Sequence, residues 1–300
     1  MSLNPFIGIS LPLLILGSVI PAVFNERVQT LTTKKPQLTD KPTQRVVALN
    51  SLVADIVFRL DKTKLVGRPG TRLLNQNEEL SRVPTVSEGQ MPPDVEKIIA
   101  LKPDLVVGST GIHNLTAQKL EQQGISTLLT HVDSWSNLES LTETLANFIK
   151  ADPEPLLQKY KTTLGSRLTD TPATLVLVAR DPILAPNKNS WAGDLLHRLN
   201  VNNLTSDFPN SSPRKGFASL SAEQIIEADP EVLIVIDTPV DNLLEYYKSQ
   251  PFWNQLKSVK NHKVYVFDYY GFVIPGSVTA IEETISKLKR ILVEESSASR

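Results

Sequence analysis

Asp94-Val-Glu-Lys-Ile-Ile-Ala-Leu-Lys-Pro-Asp-Leu-Val-Val-Gly108 decides how this chain is read, because a second version of it stands at Ser221-Ala-Glu-Gln-Ile-Ile-Glu-Ala-Asp-Pro-Glu-Val-Leu-Ile-Val-Ile236. Glu96, Ile98, Ile99, Pro103 and Asp104 correspond to Glu223, Ile225, Ile226, Pro230 and Glu231, 127 residues later. In each copy the Ile pair and its neighbours give an apolar stripe at helical spacing. A proline then closes the helix before a β-branched run that reads as a buried strand. The offset is too long for a solenoid repeat and about the size of a domain, so the repeat predicts two lobes built alike.

Working outward, the 300 residues suffice for two cores. A formal charge of −1, with no long basic or acidic run, gives nucleic acid no footprint. The chain has no cysteine, which excludes disulfides, thiolate metal sites and Cys-held iron–sulfur clusters. Pro5 to Phe24 is uncharged and apolar, with Pro12 and Pro21 interrupting it, and predicts a signal peptide or N-terminal anchor over 1–24. Residues 25–44 read as a polar tether. Export is the expected outcome, with an uncleaved membrane anchor as the variant.

From Arg45 onward the pattern alternates. Val46 to Leu49 reads as a strand feeding a helix over Leu52 to Leu60 capped at Asn50-Ser51, and Leu65-Val-Gly67 starts a second strand. Arg68 to Arg82 reads as an irregular polar excursion. Helix Leu115 to Gln123, stopped by Gly124, and strand Ile125 to Thr130 complete an α/β lobe over 45–150. Trp135 to Arg167 is helical in signal except around Ala151-Asp-Pro-Glu-Pro155, which places the connector at 151–170. The second lobe, 171–297, repeats the plan: strand Leu175 to Ala179, a loop to Ser190, helix Trp191 to Leu199, and a polar loop Asn202 to Ser219. After the second copy come strand Val264 to Phe267 and a closing helix over about Val278 to Val293.

Six pieces in this order resemble the periplasmic substrate-binding proteins of ABC importers for ferric siderophores, haem and cobalamin. They are Arg45 to Phe58 with Leu65-Val-Gly67, Val83 to Ser87, Asp94 to Gly108, Trp191 to Leu204, Leu220 to Ile236, and Pro251 to Asp268. The resemblance implies a bilobal α/β clamp, two similar lobes with central mainly parallel sheets joined by a single long backbone helix. Its ligand is implied to sit in the interlobe cleft, without catalysis. It further implies a monomer that takes a metal chelate and delivers it to an inner-membrane ABC permease. The ferric siderophore of ferric-citrate or catecholate type comes first among ligands, with haem or a corrinoid as the alternative; no resident cofactor and no direct metal ligand are expected.

On that reading the cleft residues are Asn50, Arg72, Thr110, His113 and Trp135 from the first lobe and Arg180, Trp191, Arg214, Tyr269 and Tyr270 from the second, with Phe272 beside them. Arginines suit carboxylate-rich or catecholate chelates through bidentate hydrogen bonds, and flat tyrosines suit macrocycles and aryl groups. Each has a plainer reading: a solvated Arg72, a non-ligating His113, an Arg180–Asp181 salt bridge, and aromatics packed on the closing helix. The hydroxamate-binding branch carries an arginine and a tyrosine where this chain has Ser87-Glu-Gly-Gln90 and Gly111-Ile-His113, which counts against hydroxamates. The resemblance also implies permease docking through one acid per lobe, here Glu79 with Glu78, and Asp194. A zinc or manganese receptor is disfavoured because His113, His131, His197 and His262 show no ligand spacing. No hydrolase elbow, Walker loop or His-Glu-x-x-His occurs. The reading from another class is a membrane-tethered scaffold that keeps the fold without a transport ligand.

Overall fold

The computed structural model describes residues 42–89, 91–212, 214–238 and 242–298. The expected export segment and most of the expected tether lie outside them, and none of the described helices is long and apolar enough to cross a membrane.

The first lobe carries a five-stranded sheet of β1 (Val46–Ala48), β2 (Leu65–Gly70), β3 (Thr85–Glu88), β4 (Leu105–Ser109) and β5 (Ser126–Thr130), in the order β3-β2-β1-β4-β5. Every pairing is parallel. Parallel strands buried on both faces must be apolar on both, and Val46, Val47 and Ala48 are all fully buried. In the second lobe β6 (Thr174–Leu177), β10 (Val232–Asp237) and β11 (Val264–Asp268) form a parallel sheet ordered β11-β10-β6. Beside it, β7 (Ala179–Arg180), β8 (Ile183–Pro186) and β9 (Phe217–Leu220) make an antiparallel sheet. That second sheet departs from the loops expected at 180–190 and 202–219. Its strands are two to four residues long, too short to carry a period in the sequence.

The two copies of the opening unit occupy equivalent places. Asp94 caps its helix by accepting the Lys97 amide at 3.0 Å, and Ser221 does the same for Gln224 within a capping box. Each helix ends on a left-handed residue before the proline, Lys102 (φ 47°) and Asp229 (φ 33°). Next, an acid fastens the start of the neighbouring central strand. Asp104 accepts the amides of Gln44 and Arg45, at 2.7 and 3.0 Å, at the entry to β1; Glu231 accepts that of Ala173, at 3.1 Å, at the entry to β6. Only the first Ile of each pair enters the core: Ile98 and Ile225 are 0% exposed, Ile99 and Ile226 38% and 37%. The second position of each pair therefore faces outward, so the stripe is narrower than the pairing implied.

The excursion after β2 is more ordered than its polarity suggests. Thr71 and Asn77 cap two single-turn helices, Arg72–Asn75 and Glu78–Ser81, which bury Leu74 and Leu80. Arg68 belongs to β2 and is buried. Its guanidinium donates to the carbonyls of Leu80, Ser81 and Pro69, which satisfies a charge that would otherwise be costly there.

Two helices separate the strand-bearing parts, Trp135–Ile149 and Glu154–Leu164, parted by the left-handed Lys150 and by Pro153. One face of each parallel sheet shares a single apolar core. Val46, Ala48 and Val107 from one lobe and Val176, Ile234 and Ile236 from the other belong to one cluster with Trp135, Leu138, Trp191, Leu195 and Ile285. The outer faces have separate clusters, Val47, Val106, Ile98 and Leu120 in the first lobe and Leu175, Val235, Ile225 and Tyr247 in the second.

Candidate functional site

Parallel strands deliver their carboxyl ends to one edge of a sheet, where loops gather polar groups. In the first lobe Asn50, Arg72 and Thr110 follow β1, β2 and β4. Asn50 is committed locally: its oxygen caps helix Ser51–Asp61 through the Val53 amide at 2.9 Å, and its Nδ2 donates to Ser109 Oγ at 3.0 Å. Thr110 is exposed and its amide donates to the Thr130 carbonyl. Arg72 reaches across to the second lobe, where its Nη2 lies 3.8 Å from Asp268 Oδ2 at the end of β11.

That meeting borders an interlobe crevice of ≈ 250 Å³ lined by Arg72, Leu73 and Gln76 on one side and Asp268, Tyr270 and Lys287 among others on the opposite one. Clefts between lobes are where ligand sites gather, usually with a few convergent polar groups. Tyr270 packs edge-on to Tyr269, with centroids 5.8 Å apart. The Tyr269 hydroxyl accepts from Arg214 Nη2 at 2.8 Å, and the guanidinium carbon lies 4.5 Å from the Phe217 ring centroid. Arg72, Arg214, Tyr269 and Tyr270 are thus drawn to one neighbourhood. Gly271 makes that loop possible: its φ is +90°, and a Cβ there would stand 2.2 Å from the Ala280 carbonyl oxygen. Lys287 is a crevice cation that the sequence reading missed. It donates to the Val266 carbonyl, and its ammonium sits 4.5 Å from the Phe267 ring centroid; one lysine among several on an amphipathic helix gives no sequence signal.

Other expected cleft residues lie elsewhere. Trp135 and Trp191 are 2% and 3% exposed and stack on each other, 6.1 Å between centroids at 16°. Trp191 also donates from Nε1 to the Gly271 carbonyl. Both open helices that meet in the shared core, so their rings face each other. His113 is buried, with Nδ1 accepting the Ser109 amide at 2.8 Å, and burial pushes its pKa down. It ends the β4 turn by packing against Gly108. Arg180 lies on β7 over the Tyr246 ring, 5.6 Å from its centroid, and 3.9 Å from Asp181, outside the crevice wall. Phe272 is fully buried against Phe267.

The acids divide in the same way. Glu78 and Glu79 are exposed on their short helix, with Glu79 paired to Lys62 at 2.6 Å, which holds its carboxyl below the usual range. Asp194 is taken up internally. Its Oδ2 accepts the Trp135 amide at 2.7 Å and Arg198 Nε at 3.0 Å, so it closes a helix terminus. Among the described residues no group of three or more His, Cys, Asp or Glu is placed to hold a metal ion.

A family model described as Periplasmic binding protein matches residues 46–270. Among curated relatives, the chain is 28% identical over 190 residues to the iron-uptake system-binding protein of Bacillus subtilis (strain 168), 59% of each chain. It is 25% identical over 232 residues to the Fe(3+)-citrate-binding protein YfmC of the same organism, 72% of this chain and 70% of that one. The chain therefore spans less than two thirds of the first of these relatives. Among solved structures, the periplasmic heme binding protein HutB of Vibrio cholerae superposes with a TM-score of 0.68 at 17% identity, covering 83% of this chain and 98% of that one. The fold is the same bilobal one, and the chain belongs to the Periplasmic binding protein family.

Proposed function

We propose that this member of the periplasmic binding protein family is the solute receptor of an ABC importer. It captures a ferric chelate of the citrate or catecholate type between its lobes and delivers it to the permease. The carrying observation is the Arg214 guanidinium, braced by the Tyr269 hydroxyl and the Phe217 ring, with Tyr269 packed on Tyr270 of a crevice wall that Arg72 and Lys287 share. A guanidinium already oriented loses little freedom on meeting a carboxylate or catecholate oxygen, and it keeps its charge at any working pH. The names of the iron-uptake and ferric-citrate relatives point the same way. Glu78 and Glu79 are the first-lobe docking acids in this reading, and the protein acts outside the cytoplasmic membrane.

Isothermal titration with ferric citrate, a ferric tricatecholate, haemin and cyanocobalamin tests the assignment. One ferric chelate should bind near one per chain, and Arg214→Gln should weaken it about tenfold or more, the worth of a charge-assisted hydrogen bond, with Tm unchanged. Haem or corrinoid binding is the second reading, favoured by the Tyr270 ring on the crevice wall. Binding of none of the four would leave the scaffold reading in command.

A further inference from the structure

The junction between the lobes contains one arrangement twice. Asp55 and Arg59 sit one turn apart on helix Ser51–Asp61, the first helix of the first lobe. Asp55 Oδ2 accepts the amide of Val278, the first residue of the closing helix of the second lobe, at 2.7 Å. Arg59 donates from Nε to Asp55 at 2.9 Å and from Nη2 to the Thr279 hydroxyl at 2.8 Å. Asp194 and Arg198 sit one turn apart on helix Trp191–Arg198 of the second lobe. Asp194 Oδ2 accepts the amide of Trp135, the first residue of helix Trp135–Ile149, at 2.7 Å. Arg198 donates from Nε to Asp194 at 3.0 Å and from Nη2 to the Ser136 hydroxyl at 2.8 Å.

The correspondence extends to the helices being held. Each begins with a serine that caps its own third amide, Ser277 for Ala280 and Ser134 for Asn137. The serine serves one orphan amide from inside, and the aspartate serves another from across the junction. Both carboxylates face the positive end of a helix, where a negative charge is favoured. Asp55 is 6% exposed at the side chain and Asp194 21%. Burial raises the Asp55 pKa, while Arg59 and the Val278 amide oppose that shift. Removing one member of so enclosed a set strands the others.

Two such contacts, running in opposite directions between the lobes, constrain orientation as one contact cannot. A single pin leaves rotation about itself; a second pin removes it. We propose that Asp55–Arg59 and Asp194–Arg198 are paired positioning residues that fix the angle between the lobes, and through it the spacing between the two walls of the crevice. Arg72 and Lys287, on opposite walls of that crevice, approach a common ligand only at that spacing. The last step rests on the receptor reading given above; the angular step does not.

The absence of native cysteine allows spin labels at Lys119→Cys on one lobe and Glu227→Cys on the other, with distances measured by double electron–electron resonance on the ligand-free chain. Asp55→Asn and Asp194→Asn should each broaden the interlobe distance distribution, and the double variant should broaden it most. Ser277→Ala and Ser134→Ala, which remove a cap within one helix and leave the crossing bonds, should lower Tm while leaving the distribution unchanged. If an Asp variant does not fold, Arg59→Gln and Arg198→Gln replace it, with the same broadening expected to a lesser degree. Aspartate or arginine variants whose distributions overlay those of the serine variants would overturn the proposal and reduce the four residues to helix caps. Ferric citrate titration adds a separate arm. A variant holding the competent angle a tenth of the time should bind about tenfold more weakly. Unbroadened distances count against the clasp whatever binds, whereas broadened distances with no ferric citrate binding in the unsubstituted chain count against the receptor reading alone.

Discussion

The two lobes share a central strand–helix–strand design and differ in what is attached to it. In both, a capped helix, a left-handed turn and a proline lead into the central strand, and an acid at the strand entry fastens its neighbour. The first lobe extends that unit on one side with β2 and β3 into a continuous parallel sheet. The second stops at three strands and sets an antiparallel sheet alongside. Residues of the shared unit are spent on architecture. Of the residues at or beside the crevice, Arg72 and Arg214 come from segments with no counterpart in the other lobe, whereas Tyr269 and Tyr270 follow the strand that flanks β10 as β5 flanks β4, and Lys287 stands on the closing helix that matches helix Trp135–Ile149.

The sharpest way to break this comparison is at the Ile pairs. Ile98→Ala and Ile225→Ala should each cost about 2–5 kcal/mol in urea denaturation, whereas Ile99→Ala and Ile226→Ala should each cost under about 1 kcal/mol. Unequal costs for Ile98 and Ile225 would show that the lobes are not energetically equivalent. At the margin, Arg214→Gln should leave the denaturation midpoint in place while costing about tenfold or more in ferric chelate affinity; a shifted midpoint with intact affinity would return Arg214 to the frame. Next come the strand clips. Asp104→Asn and Glu231→Gln should each cost about 0.5–1.5 kcal/mol, with no effect on binding in calorimetry.

His113 gives the gentlest test, because it belongs to the first lobe alone. Burial depresses its folded pKa, so the unfolded chain, titrating near pH 6.5, takes up the proton more readily. Its contribution is complete above about pH 6.5 and is lost as pH falls through the lower folded value. His113→Asn should flatten that part of the stability–pH curve measured by thermal melts, and a curve of unchanged slope would remove His113 from the account.

What was legible in the sequence follows from the same division. The repeated unit announced itself because helix stripes, stop signals and buried strands leave periodic marks, and both copies occupy the places their pattern implied. The antiparallel sheet left none, since β7 has two residues and β9 emerges from a polar loop. Position after a strand was enough to put Arg72, and Tyr269 and Tyr270 after β11, at or beside the interlobe crevice. It could not tell that Trp135 and Trp191 turn toward each other, because both begin helices whose direction depends on the opposite lobe. The contacts of Asp194 were hidden for the same reason. The crossing contacts did carry a faint signal, Asp-x-x-x-Arg in the first helix of each lobe and Ser-x-Ser or Ser-x-Thr at Ser134 and Ser277, which is readable only once the partner helices are known.

The core shared between the inner faces of the two sheets bears on how the chain comes apart. Neither half owns that apolar layer, so a polypeptide cut near residue 150 would expose one side of it to water, and the two pieces should aggregate or seek each other out. Calorimetry on the whole chain should show one cooperative heat-absorption peak instead of two, with a van't Hoff enthalpy matching the calorimetric one. In thermodynamic terms, two lobes make a single folding unit.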